Sequence, residues 1–275
     1  MISSSATARR TTKFNQCSKY RIYIMLKMES ANFYMGTSGW SYKHWSDIFY
    51  PKDIKPIEYL EFYTTKFSCV ELNSSFYNLP LKTTVTGWMN RTPGIFRFCP
   101  KLNRFVTHQL QLVNTEEALQ KYFDVFEGMK KRLGPVLIQF PPGLSYDRSL
   151  ICIFFNIIKE RYNQYRFAVE VRNKSWINDN FFDLLAHYRI AFVIADSGDR
   201  FPYNEAVTAG FVYLRFHGRE QLYASDYSET DLRLFAKKII NWLYEGKEVW
   251  AFFNNDYYGF AIKNAQRLKE IVSLL

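Results

Sequence analysis

Short apolar segments alternate with longer amphipathic segments along most of the chain. Eight of the short segments have the length and composition of strands: residues 33–37, 69–73, 95–101, 135–140, 166–172, 190–196, 210–217 and 248–254. Helical periodicity runs between or after them over residues 56–67, 115–133, 177–188, 228–244 and 260–274. Strands that alternate with helices indicate a parallel sheet, and eight of them predict a single (β/α)8 TIM-barrel-like domain of the α/β class.

An open doubly wound sheet is the alternative to a closed barrel. It would be favoured by a GxGxxG turn after the first strand, but the chain reads GTSGW from Gly36 to Trp40. The closed barrel predicts that residues 33–37 lie beside residues 248–254.

The strand predicted at residues 166–172 carries the clearest candidate site. Phe167, Val169 and Val171 alternate with Ala168, Glu170 and Arg172, so that one face suits a layer of helices. Glu170 and Arg172 then point into the barrel near the carboxyl end of the strand, where the active sites of such barrels lie. A buried structural ion pair is an equally good interpretation of these two residues alone.

Polar residues also occupy the ends of other predicted strands. They are Glu71, Asn73, Lys101, Gln139, Asp196, Arg215, His217, Asn254 and Asn255. Each one alone is explained by a surface or capping position. Because burying charges is costly unless partners or ligands compensate, their convergence on one rim predicts a site.

Charge is distributed unevenly along the chain. The formal net charge is +10, but residues 1–28 contain six of the 36 basic residues and none of the 26 acidic ones, so the remainder carries 30 − 26 = +4. A nucleic-acid partner is therefore only weakly supported.

We expect residues 1–28 to be a leader or an extension upstream of a start at Met28, and residues 29–275 to form the domain. No apolar run approaches the roughly 18 residues of a membrane span, so we expect a cytoplasmic protein without a membrane partner.

Several motifs, taken in order, resemble those of the YecE-like family, domain of unknown function 72. They are GTSGWSYKHW, VELNSSFY, FRFCPK, VTH, LGPVLIQFPP, EVRNKSW, YLRFHG and FNN. The resemblance runs from about Gly36 to the C-terminus, implies a (β/α)8-like barrel and brings no settled activity. It departs at YASDY, Tyr223 to Tyr227, where relatives commonly have Gly. The site residues that it implies are Trp40, Tyr42, Glu71, Asn73, Lys101, His108, Gln139, Glu170, Arg172, Asp196, Arg215, His217 and Asn254.

The residue types at this rim suit acid–base chemistry on an anion. Glu170 or Asp196 could serve as the base and His217 or Lys101 as the acid, with Arg172 and Arg215 as an anion clamp. The other predicted substrate-binding residues are Glu71, Asn73, His108, Gln139, Asn254 and Asn255, with Trp40, Tyr42 and Tyr77 as rings that stack on the substrate or seal the barrel.

Metal chemistry is the competing interpretation of the same rim. Glu71, His108, Glu170, Asp196 and His217 are possible ligands. Lys101, Arg172 and Arg215 would repel a cation, so we expect no metal and no cofactor.

The preferred hypothesis is an enzyme of hydrolase or lyase type that acts on a small phosphorylated or otherwise anionic substrate. The alternatives are a nucleic-acid-processing barrel resembling an endonuclease and a noncatalytic module that binds an anion or another ligand.

Overall fold

A computed structural model describes residues 32–275, so the predicted leader, residues 1–28, lies outside the described residues. Each of the eight predicted strands is present, and most are one to three residues shorter than the pattern suggests. They are β1 (Phe33–Thr37), β2 (Cys69–Leu72), β3 (Arg97–Pro100), β4 (Val136–Gln139), β5 (Phe167–Glu170), β6 (Ala191–Asp196), β7 (Phe211–Phe216) and β8 (Glu248–Phe253).

Helices connect the strands. They are α1 (Tyr59–Thr64), α2 (Ser74–Tyr77), α3 (Lys82–Asn90), α4 (Glu116–Phe126), α5 (Arg148–Arg161), α6 (Asp179–Tyr188), α7 (Glu229–Tyr244) and α8 (Phe260–Leu274). Three of them begin at side-chain caps, because Asp147, Asn178 and Ser228 each accept a hydrogen bond from a backbone N–H of the first turn. No helix within residues 32–275 is long and apolar enough to cross a membrane.

All strand pairs are parallel. Six strands form a curled sheet in the order β1-β8-β7-β6-β5-β4, and β2 pairs with β3 in a second sheet. The pairing of β1 with β8 runs from Phe33 opposite Val249 to Thr37 opposite Phe253. The prediction that the first strand lies beside the last is therefore confirmed, and the chain has an α/β fold built on parallel strands.

Alternation along the strands separates two apolar clusters. The larger one joins one face of the strands to the helices, and it contains Ile138, Val169 and Ile194. The smaller one covers the opposite face, which we call the inner face: Cys69, Cys99, Leu137, Ala168, Ala191, Val193, Ala195, Phe211, Tyr213, Trp250 and Phe252. Since side chains two residues apart share a face, the inner face continues into the charged residues at the strand ends.

Candidate functional site

A fully buried ion pair between Glu71 and Arg215 stands at the centre of the strand ends. Arg215 donates from Nε to Glu71 Oε2 at 3.0 Å and from Nη2 to Glu71 Oε1 at 2.6 Å. Glu71 also accepts hydrogen bonds from Ser38 Oγ at 2.7 Å and Tyr213 OH at 2.8 Å. We call Glu71 and Arg215 the buried brace. Its two charges satisfy each other, and Arg215 Nη1 additionally contacts Glu170.

Glu170 joins the buried brace to a second arginine. Its Oε2 is paired with Arg215, while its Oε1 contacts Arg172 Nη2. Burial would raise the pKa of Glu170, but Arg172 and Arg215 outweigh it and hold that pKa well below the ordinary value. Glu170 is therefore an ionised carboxylate with a weak tendency to accept a proton, which argues against its predicted role as the base.

His217 is buried beside Glu170. Its Nε2 lies 3.3 Å from Glu170 Oε1, and the amide nitrogen of Asn254 lies 3.2 Å from its Nδ1. Burial, reinforced by Arg215, lowers the pKa of His217 to about 3, so the ring is neutral at pH 7. Because an amide nitrogen can only donate, Nδ1 accepts from Asn254, and the ring proton sits on Nε2 facing Glu170. A neutral imidazole held in this way is a poor acid, contrary to the predicted role.

Arg172 has hydrogen-bonding capacity that the fold does not use. Its side chain is only 4% exposed, and its guanidinium carbon lies 3.3 Å from the centroid of the Phe201 ring. Nε and Nη1 are buried without a hydrogen-bond partner. Buried donors are almost always paired in folded proteins, so these two unpaired donors are an exception among the described residues.

Lys101 lies on the same side of the site. Its Nζ donates to Gln139 Oε1 at 2.7 Å and sits 3.9 Å from the centroid of the Phe76 ring. Burial and the neighbouring Arg215 lower the pKa of Lys101 to about 7. A substantial fraction of this amine is thus neutral near pH 7. We call Arg172 and Lys101 the open edge.

The open edge borders a cavity of about 670 Å³. Gln139 is the last residue of β4, and Arg215 lies one residue before the end of β7. Arg172 and Asn254 come just after the ends of β5 and β8. The cavity therefore lies at the carboxyl ends of the strands. Its lining residues are His44, Asn73, Tyr77, Lys101, Gln139, Arg172, Arg215, Tyr223, Asn254, Asp256, Tyr257 and Tyr258.

Five lining residues were missed by the sequence prediction: His44, Tyr223, Asp256, Tyr257 and Tyr258. They belong to the loops after β1, β7 and β8. Loops at the carboxyl ends of barrel strands commonly build the site, so their position was the available signal. His44 Nε2 lies 3.2 Å from Asp256 Oδ2, and burial raises the pKa of Asp256 to about 6 against the opposing effect of His44.

Asp196 and Asn255 do not border the cavity. Asp196 shares its face of β6 with Phe192 and Ile194, which pack toward the helices, and its Oδ1 lies 3.4 Å from Arg219 Nε. Asn255 is fully buried and donates to Ser225 O and Asn264 Oδ1. The sequence analysis predicted that all the polar strand ends converge on one site, and Asp196 and Asn255 do not follow that prediction.

Three further predicted residues brace the surroundings instead of lining the cavity. Trp40 packs edge-to-face on Trp88, with 5.4 Å between the ring centroids, and Tyr42 donates to Ser38 O at 2.5 Å. His108 packs against Phe76, and burial together with Lys101 lowers the pKa of His108 to about 4. Among the predicted aromatic residues, Tyr77 does line the cavity and is 62% exposed.

Of the possible metal ligands named from the sequence, only Glu170 and His217 are in direct contact, at 3.3 Å. Glu71 and Glu170 face arginines, and Asp196 lies on the opposite face of its strand. Within residues 32–275, no group of three or more His, Cys, Asp or Glu side chains is placed to hold a metal ion.

Comparisons with known proteins give one family. The model described as "Protein of unknown function DUF72" matches residues 34–274. UPF0759 protein YunF of Bacillus subtilis is 24% identical over 271 residues, which cover 88% of this chain and 95% of the relative. UPF0759 protein YecE of Escherichia coli is 27% identical over 140 residues, or 51% of this chain and 48% of the relative.

Solved structures agree with that match. The crystal structure of a DUF72 family protein from Thermotoga maritima has a TM-score of 0.80 and 30% identity, and the alignment covers 88% of this chain and 99% of the other. A DUF72 family protein from Enterococcus faecalis has a TM-score of 0.76 at 22% identity, covering 88% and 96%.

Proposed function

The chain belongs to the DUF72 family, which confirms the resemblance drawn from its motifs. We propose that it is an enzyme of hydrolase or lyase type that acts on a small phosphorylated or otherwise anionic substrate. The substrate binds in the cavity at the carboxyl ends of the strands, with its anionic group on Arg172.

The unpaired donors of Arg172 carry this proposal. Arg172 lines the cavity, its Nε and Nη1 are buried without partners, and its Nη2 contacts Glu170. An arginine with two free donors and a fixed orientation suits two oxygens of a phosphate or carboxylate. Arg215 contributes less to anion binding than predicted, because Glu71 and Glu170 already neutralise it.

Lys101 is the proposed proton-transfer group. A general acid or base works best when its pKa is near the working pH, and the pKa of Lys101 is lowered to about 7. Glu170 then has a positioning role, because it fixes the guanidinium of Arg172 beside the cavity.

A noncatalytic module that binds the same anion is the second candidate. Glu170, the residue expected to be the base, is held ionised between two arginines. Such a carboxylate suits a binding site as well as a catalytic one.

Ligand binding and turnover test the proposal together. We expect inorganic phosphate and sugar phosphates to raise the thermal midpoint of the wild-type protein, and Arg172→Gln to weaken the affinity about tenfold or more, since a hydrogen bond to a charged group contributes about 1.5–3 kcal/mol. Lys101→Met should retain binding but lose turnover of any sugar phosphate that the wild-type protein converts.

Arg166→Gln is the matched control. Arg166 immediately precedes β5 and pairs with Glu248 at the start of β8, so it lies at the opposite end of the same strand. Equal losses of phosphate affinity in the two arginine variants would contradict an anion site at Arg172. Binding without turnover of any sugar phosphate would favour the noncatalytic module.

We also propose that the two sheets belong to one closed (β/α)8 barrel, the finer form of the fold prediction. Two backbone hydrogen bonds that connect the β3 segment to the β4 segment support this: Gly134 N to Phe98 O and Leu102 N to Leu137 O, both 2.8 Å. An experimental structure in which β1 and β2 are separated by a gap wide enough for solvent would contradict closure.

A further inference from the structure

We propose that Lys101 is a covalent nucleophile that forms an imine with a carbonyl carbon of the anionic substrate. This inference rests on the function proposed above and narrows the substrate class to aldehydes or ketones that carry a phosphate or another anionic group.

The surroundings of Lys101 favour a reactive amine over a structural cation. Its side chain borders the cavity, and its residue is 7% exposed. Its hydrogen-bond acceptor is the neutral amide oxygen of Gln139, and one side is shielded by the ring of Phe76. Among residues 32–275, no carboxylate oxygen lies within 4.0 Å of Nζ. A buried structural lysine is normally held by an acidic partner, which Lys101 lacks.

Several charged groups act on the amine from the surrounding strands and the following loop. The arginines Arg215 and Arg172 disfavour the ammonium form, whereas Glu170 and Glu71 favour it less strongly than burial opposes it. The pKa of Lys101 is therefore lowered to about 7, and the neutral nucleophile is abundant at physiological pH.

The chemistry is balanced without an added oxidant or reductant. The lone pair of Nζ attacks the carbonyl carbon and forms a C–N bond. The two N–H protons of the neutral amine leave with the carbonyl oxygen as water, so that a C=N bond replaces the C=O bond. Protonation of the imine then withdraws electrons from the adjacent carbon, which eases loss of a proton or cleavage of a C–C bond there. Such a step is consistent with a lyase.

Arg172 supplies the other half of this substrate class. Arg172 borders the same cavity as Lys101, and its buried Nε and Nη1 have no hydrogen-bond partner within the described chain. An anionic group held on the guanidinium would keep the carbonyl within the cavity and raise its effective concentration at the amine.

Reductive trapping tests the inference on the full chain. The protein is incubated at pH 7 with dihydroxyacetone phosphate and sodium cyanoborohydride, which converts the imine into a stable secondary amine, and the modified lysines are mapped by peptide mass spectrometry. We expect Lys101 to be labelled at least about tenfold more than Lys121, since the neutral fraction of an amine at pH 7 falls about tenfold for each pKa unit above 7. Lys121 is the internal control because its side chain is 67% exposed.

Two further arms separate nucleophilicity from anion recognition. Dihydroxyacetone, which lacks the phosphate, should label Lys101 less than its phosphate ester does, and Arg172→Gln should remove that difference. Labelling of Lys101 should level off above about pH 8.

The outcomes distinguish this inference from the proposed function. Uniform labelling of lysines, together with normal stabilisation by inorganic phosphate, overturns the imine and leaves the anion site intact. Uniform labelling without any phosphate binding overturns both. Selective labelling of Lys101 that disappears in Lys101→Arg supports the imine.

Discussion

The buried brace and the open edge contain the same kinds of charged group and differ in how far the fold satisfies them. In the brace, both oxygens of Glu71 accept two hydrogen bonds each, and Arg215 donates from all three nitrogens. In the open edge, Arg172 keeps two donors unused and Lys101 meets only a neutral amide. The satisfied charges hold the strands together, whereas the unsatisfied charges beside the cavity are the ones that we propose bind a ligand. The positions of charged residues at strand ends do not by themselves distinguish satisfied charges from unsatisfied ones.

Removing Arg215 should have the largest effect on stability. Arg215→Met leaves Glu71 and Glu170 buried with their main cation gone, and breaking a buried pair in this way costs about 3–5 kcal/mol. Urea unfolding followed by tryptophan fluorescence measures the loss.

Arg172→Met is the matched comparison for that experiment. It removes one contact to Glu170, which remains paired with Arg215, so we expect a clearly smaller loss of unfolding free energy. If both methionine variants lost the same stability, the distinction between brace and open edge would be wrong.

Acid should destabilise the protein through His217, while Asp256, whose pKa is raised to about 6, acts in the opposite direction. The native pKa of His217 is about 3 and the unfolded value is about 6.5, so between these values the unfolded chain binds more protons and stability falls as the pH falls. The contribution of His217 to the slope approaches about 1.4 kcal/mol per pH unit, or about 2–3 kcal/mol from pH 6.5 to 4.5.

The variant His217→Gln should reduce the dependence of the unfolding free energy on pH. The variant His187→Gln, at an exposed position, is the control and should leave that dependence unchanged. The free energy of unfolding is measured by urea titration at each pH. A wild-type slope that persists in His217→Gln would assign the effect to other groups, such as His108, whose pKa is also lowered to about 4.

Arg172→Lys sharpens the comparison at the open edge. The ammonium keeps the positive charge but lacks the planar fork, so it should recover only part of the phosphate affinity and remain several-fold weaker than wild type. Isothermal titration with inorganic phosphate measures this. Full recovery would show that charge alone attracts the anion and that the free donors of Arg172 do not select it.

Strand pattern predicted the framework and part of the site. Alternation placed Glu170 and Arg172 on one face and Arg215 and His217 on another, and the structure brings these four residues into contact. It did not predict that Glu71 would neutralise Arg215, because that pairing joins strands 144 residues apart. Pairing over such a distance depends on tertiary geometry, and so does the cavity mouth, which is built by irregular loops.

The clearest failure of the rim prediction could have been avoided with the same alternation rule. Ala191, Val193 and Ala195 occupy the inner face of β6, so Asp196 falls with Phe192 and Ile194 on the face toward the helices. Position at a strand end therefore does not by itself place a side chain on the inner face. Within a regular strand, the alternation of side chains predicts which face a residue occupies, because the period of two residues is fixed by the backbone.

Asp196→Asn should therefore have the smallest effect on the site. Burial raises the pKa of Asp196 and Arg219 opposes that rise, so the side chain interacts with the surrounding protein away from the cavity. We expect phosphate affinity and the trapping of Lys101 to stay within about twofold of wild type, a difference of about 0.4 kcal/mol. A tenfold loss of phosphate affinity in Asp196→Asn, with unchanged unfolding free energy, would restore Asp196 to the site and show that the cavity reaches past the inner face.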